Sequence, residues 1–187
     1  MTTFRNGTSS QKRHLRLVVG GETAGESLHF DAVCRRYARY VASIGLRILG
    51  APEELDDLVQ EVFLEAHRGL TGVRDPYAVR AWLESICVRR ATRRLRRRRL
   101  RSWLTLGRTD APRVSLNPDE DPERAAAARA ALKILDRLNP DERAAWVLRH
   151  IEHESLDDIA DICACSKSTV ERRLRSAQER FAREAAR

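Results

Sequence analysis

Apolar residues recur every three or four positions along most of this 187-residue chain, the spacing that places them on one face of an α-helix. Phe30, Val33, Cys34, Tyr37, Val41, Ile44 and Ile48 follow it, predicting a helix over about 28–49 that Gly50 ends. In "APEELDDLVQEVFLEAHRGL", Pro52 and a first turn of acids open a second helix. Leu55, Leu58, Val59, Val62, Phe63 and Ala66 share its inner face, and Gly69 closes it. After the loop "TGVRDP" a third helix begins near Tyr77 and keeps Trp82, Leu83, Ile86, Cys87, Ala91 and Leu95 in register. No segment alternates with period two for long, so no strand is predicted.

Residues 102–122 break the pattern with three prolines and a cluster of acids, the composition of a flexible linker. Four more helices follow. The first begins at Pro122, and the second takes Asn139 as cap with Pro140 in its first turn. The last two, "SLDDIADIC" and "SKSTVERRLRSAQERFAREAA", carry Ser155 and Ser166 as N-caps. Two short-linked helices with a long, basic second member describe a helix-turn-helix. Leu156, Ile159, Ala160 and Ile162 bury the first, and Val170, Leu174, Ala177 and Phe181 form a stripe along the second. The face left outside presents Lys167, Ser168, Thr169, Glu171, Arg172, Arg175 and Gln178. Hydroxyls and long polar side chains near a helix N-terminus suit phosphates and base edges in a major groove. A solvated face on an ordinary helical bundle has the same pattern. The fold class expected is all-α. Two small helical domains, 28–101 and 123–187, are joined by the linker 102–122, with a disordered leader at 1–27.

Charge sharpens this picture. The net value is +8, from 35 basic and 27 acidic residues, distributed as +2 over 1–27, +7 over 28–101, −3 over 102–123 and +2 over 124–187. A basic helical half beside an acidic connector points to a polyanionic partner, most simply nucleic acid. Residues 89–101, "RRATRRLRRRRLR", hold nine arginines in thirteen positions. Ala91 and Leu95 carry the buried stripe into this tract, so its first half is expected to be folded and Arg96–Arg101 to fray. The four cysteines lack disulfide-framework spacing, which fits a reducing cytoplasm. No run of 18 apolar residues exists to span a membrane, and "LRLVVGG" in the leader is too short for a signal peptide.

Asp56, Asp57, Gln60, Glu61 and Glu65 lie opposite the apolar stripe of the second helix. Such an acidic face either balances the arginines of the third helix or meets another protein. "DDLVQEVFLEAHRGL" followed by "AWLESICVRRATRRLRRRR" resembles region 2 of bacterial RNA polymerase sigma factors. "LDRLNPDERAAWVLRHIEHESLDDIADICACSKSTVERRLRSAQERF" resembles region 4 of the same family. The two blocks in this order, with a short acidic linker and no region 3, are similar to the extracytoplasmic-function (ECF) group over about residues 28–184.

The resemblance implies a factor that binds core RNA polymerase and directs promoter recognition and transcription initiation. Asp56, Asp57, Gln60 and Glu61 would then face the clamp helices of the polymerase β′ subunit. Val73, Arg74, Tyr77 and Trp82 would surround a flipped base of the −10 element, although Trp82 also suits a core anchor. Arg89, Arg93 and Arg97 would hold −10 DNA, and Lys167, Ser168, Thr169, Glu171, Arg172 and Arg175 the −35 element near the β flap. Four positions depart from the family pattern. Val73 stands where an aromatic is frequent, Arg89 where an asparagine-like residue is frequent, and Glu171 where a basic residue is frequent, so altered −10 and −35 preferences are expected. The turn "CACS" lacks the usual glycine. An anti-sigma factor is a possible further partner.

The other function class considered is a stand-alone helix-turn-helix regulator that does not touch polymerase; it leaves the acidic helix face idle. His150, His153, Cys163 and Cys165 are metal-ligand types, but H-x2-H with C-x-C matches no common zinc spacing, so no metal and no cofactor are expected. Nor does the chain carry a nucleophile–base set or a phosphate-cradling glycine loop, and it is not expected to be an enzyme.

Overall fold

The computed structural model describes residues 30–73, 75, 78–104 and 131–185. The expected leader and residues 105–122 of the expected linker lie outside these. The described residues form seven α-helices and no strand. They are α1 (Phe30–Leu49), α2 (Leu55–Gly69), α3 (Val79–Leu104), α4 (131–137), α5 (Pro140–His150), α6 (Leu156–Ile162) and α7 (Lys167–Ala185). The chain is all-α, as the periodicity requires.

The first three helices pack on one another through the stripes read above. Val41, Ile44, Ile48, Leu58, Val62, Leu83 and Cys87 are fully buried, each large aliphatic among them favouring the fold by about 1.5–3 kcal/mol. A methyl group at Gly45 would come within 2.7 Å of Leu58 Cδ2, so α1 and α2 meet closely at that glycine. Gly50 ends α1 with φ of 63°, its N–H donating to the Leu46 carbonyl at 2.7 Å.

In the second half, the α7 stripe seats Val170 and Ala177 in the interior, and the Phe181 ring stacks on Trp146 of α5 at 4.3 Å. Ser155 Oγ accepts from the Asp158 N–H and Ser166 Oγ from the Thr169 N–H, so both predicted N-caps are made. Asn139 opens α5 in a capping box, its N–H donating to Glu142 at 3.0 Å.

The two halves touch each other: α3 packs against α5 and α6, α1 touches α5, and buried residues from Val33 to Val170 are in contact. The tail of α3 departs from expectation. Arg96–Arg101 does not fray but stays helical through Leu104, three residues into the stretch read as linker. Arg98 donates to the Leu49 carbonyl at 3.0 Å, and Arg99 to carbonyls of Asp136 and Leu138, so this end is tied down by the chain before and after it.

Candidate nucleic-acid and polymerase interface

The acidic residues of α2 divide into two groups. Glu61 and Glu65 face α3: Arg94 donates to Glu61 at 2.8 Å, Arg89 to Glu65 at 2.8 Å and Arg90 to Glu65 at 2.7 Å. Glu54, just before α2, lies 3.5 Å from Arg98. Asp56, Asp57 and Gln60 point the other way; they are exposed and engage no side chain among the described residues. Both readings of the acidic face are therefore realised, on opposite sides of one helix. Glu61, grouped by sequence with the outward set, is half-buried in an ion pair instead.

The same pairing orders the arginine tract. Exposed Arg93 and Arg97 carry no partner among the described residues, whereas Arg89, Arg90, Arg94, Arg96, Arg98 and Arg99 all do. Glu65, Arg89, Arg90 and Arg93 line a shallow recess of about 240 Å³. With Glu65 holding two guanidiniums and Arg93 open, the recess is a net-positive surface of a kind that suits a phosphate oxygen.

Of the residues expected around the flipped base, Arg74 and Tyr77 lie outside the described residues. Val73 is half-buried against the core. Trp82 packs over Gly69, where a methyl would sit 2.8 Å from its ring, so this side chain anchors the α2–α3 corner.

On α7, Glu171, Arg172 and Arg175 are exposed, with Gln178 continuing the same face. Lys167 pairs with Asp157 at 3.1 Å, and Ser168 and Thr169 gather on the Ser166 cap at 3.0 and 2.9 Å. The face therefore stays open, with its hydroxyls clustered at the helix N-terminus. The turn before it is made without glycine: Ala164 takes φ of 50°.

The interior also holds features that hydrophobicity does not reveal. Arg143, 2% exposed, donates to Asp136 and lies 3.5 Å from the Arg47 carbonyl, with burial pushing its pKa down. Glu84, also 2% exposed, accepts from the Tyr40 hydroxyl at 2.8 Å. Burial, with Glu154 and Glu152 nearby, pushes its pKa up to about 7 against the opposing influence of Tyr40 and Arg80. Burial likewise raises the Cys163 thiol to about 12. Among the described residues no group of three or more His, Cys, Asp or Glu side chains is placed to hold a metal ion. No helix among them is long and apolar enough to cross a membrane.

Two helical units, one with an arginine-lined helix and one with an open, basic helix after a tight turn, have the form of a nucleic-acid-binding protein. Residues 33–101 match the family model for Sigma-70 region 2, and residues 128–180 match that for Sigma-70 region 4. ECF RNA polymerase sigma factor SigM of Mycobacterium tuberculosis (strain Erdman) is 30% identical over 169 residues, covering 89% of this chain and 82% of the relative. RNA polymerase sigma-H factor of Pseudomonas aeruginosa is 30% identical over 166 residues, covering 83% and 85%. This chain belongs to the ECF RNA polymerase sigma factors. Its function is accordingly to work with RNA polymerase in transcription initiation.

Two solved structures share the fold. The sigma factor RpoE of Bartonella quintana, in complex with the anti-sigma factor NepR, gives a TM-score of 0.64 at 21% identity and covers 84% of this chain and 96% of that one. CnrH, in complex with the cytosolic domain of CnrY, gives 0.54 at 24% identity, covering 82% and 84%.

Proposed function

We propose that the outward face of α2 docks on the β′ clamp helices, that α3 and the loop before it hold the −10 element, and that α7 reads the −35 element beside the β flap. The functional halves are then 28–101 and 123–187. The observation that carries the docking assignment is the division of the α2 acids. Asp56, Asp57 and Gln60 remain outward and unengaged although arginines crowd the neighbouring helix. A face left acidic beside a DNA surface is unfavourable unless a protein covers it.

Arg93 and Arg97 with Arg89 supply the −10 phosphate contacts, and Val73, Arg74 and Tyr77 the platform for an unpaired base. Trp82, packed over Gly69, anchors the α2–α3 corner. The protein acts by binding, without catalysis, in the cytoplasm, and an anti-sigma factor is a further partner, as NepR is for RpoE of Bartonella quintana.

Retention by core polymerase tests the docking face. Asp57→Arg combined with Gln60→Ala abolishes pull-down while leaving the helical circular dichroism unchanged. Full retention by that variant rejects the face; retention of neither variant nor wild type favours a stand-alone regulator. Run-off transcription with core polymerase on a genomic fragment library then reports promoter-dependent transcripts.

A further inference from the structure

Glu65 of α2 takes one arginine of α3 on each of its oxygens. Oε1 accepts from Arg89 Nη2 at 2.8 Å, and Oε2 from Arg90 Nε at 2.7 Å, with Arg90 Nη2 2.5 Å from the same oxygen. Arg90 Nη1 lies 3.6 Å from Glu61, so all three of its nitrogens face carboxylates. Arg89 is left in a different state. Only its Nη2 meets an acceptor among the described residues, and the side chain is half-exposed. Whichever Nη2 proton Glu65 takes, one complete two-pronged edge of that guanidinium remains to donate. Arg89 also lines the open recess of about 240 Å³ with Glu65, Arg90 and Arg93.

Stability does not account for a carboxylate here. Exposed ion pairs contribute little, and α2 and α3 already meet through buried Leu58, Val62, Ala66, Leu83 and Ile86. Attraction of phosphate does not account for it either, because Glu65 subtracts a charge from the midst of three arginines. What the carboxylate supplies is orientation. An arginine held at one nitrogen has lost side-chain freedom before its partner arrives, so binding costs less. The remaining edge matches two acceptors side by side. A phosphate offers such a pair but would sit close to the Glu65 carboxylate, and like charges brought together are unfavourable. A neutral base is not repelled, and guanine presents O6 and N7 to an arginine fork. Exposed Arg93 and Arg97 follow Arg89 at intervals of four residues, about 6 Å along the helix axis, where no carboxylate holds them.

We propose that Glu65 is a positioning residue, and that Arg89, held by it, reads the O6–N7 edge of a guanine in the −10 strand while Arg93 and Arg97 hold the phosphates. This moves Arg89 from phosphate contact to base reading. The inference rests on the assignment of α3 to the −10 element, and adds to it the base that is read and the residue that orients its reader.

Selection by the full chain from a pool of short, randomised single-stranded oligonucleotides tests it. Wild type enriches guanine at one position by about fivefold or more over the other bases. Glu65→Gln lowers that preference to about twofold or less while raising affinity for the pool as a whole, since a negative charge is gone. A merely structural or electrostatic role for Glu65 would shift affinity alike for every sequence and leave the preference intact. Arg89→Lys keeps the charge but not the fork, so the preference is lost and the salt dependence is unchanged. Replacing the selected guanine by its deaza analogue lacking N7 weakens binding to wild type and not to Arg89→Lys. Circular dichroism establishes that each variant scored is folded. A wild type that enriches no guanine, or a preference that survives in either variant, overturns the inference. Run-off transcription separates it from the function proposed above. Promoter-dependent transcripts without guanine selection sink the base reading alone, whereas guanine selection by a chain that supports no transcript sinks the promoter role and leaves the base reading standing.

Discussion

Ala164 adopts φ of 50° in the turn between α6 and α7, where its Cβ crowds the following carbonyl. The neighbouring Ala164 N–H and Cys165 N–H donate to Asp161 (3.2 Å) and Ala160 (2.9 Å), so the turn cannot relax without losing both bonds. Ala164→Gly removes the strain and is expected to stabilise the protein by about 0.5–1 kcal/mol, after the added freedom of the unfolded glycine is offset. A urea midpoint unchanged or lower would contradict this. Glu84 gives a pH prediction. Its folded pKa of about 7 lies above that of an unfolded glutamate, so the folded state binds the extra proton. The stability it contributes is full below about pH 4.3 and is lost as pH rises through 7, a change of about 3 kcal/mol. The charged and titratable groups facing it are Tyr40 on α1, Arg80 and Cys87 on α3, Glu152 and Glu154 in the α5–α6 loop, and Cys163 at the end of α6. Glu84→Gln keeps an acceptor for Tyr40 and removes the titration. Its unfolding free energy should vary less between pH 5 and 8 and exceed that of wild type at pH 8.

At the scale of the element, α3 carries the lesson about what a sequence reveals. Its stripe of Leu83, Ile86, Cys87, Ala91 and Leu95 was legible, because period 3.6 fixes which face turns inward. So were the caps at Ser155 and Ser166 and the glycine stop of α1. Which arginine meets which acid was not legible, since periodicity says nothing about the face a helix presents to a particular neighbour. The buried Glu84 and Arg143 were hidden for the same reason: their partners Tyr40 and Asp136 are set by helix crossings, not by local spacing. The arginine tract is therefore largely paired within the protein. Its affinity for non-specific duplex should depend on salt as two or three phosphate contacts do, with a log–log slope of about −2 to −3, not the roughly −8 of nine independent arginines. Titration of labelled duplex at several salt concentrations measures it.

At the scale of the molecule, buried residues from Val33 to Val170 carry contact from one helical half to the other. The pairs across that contact, Arg47 with Glu152 and Arg96 with Asp141, are 105 and 45 residues apart. Surface ion pairs of this kind contribute little individually. Such pairs therefore add little to the packing of α3 on α5 and α6.

The outer face of α7 stays uncovered while part of α3 is occupied. Under the assignments proposed above, the helix that meets upstream duplex can be reached as it stands, whereas several arginines of α3 already hold an acid and give phosphate less.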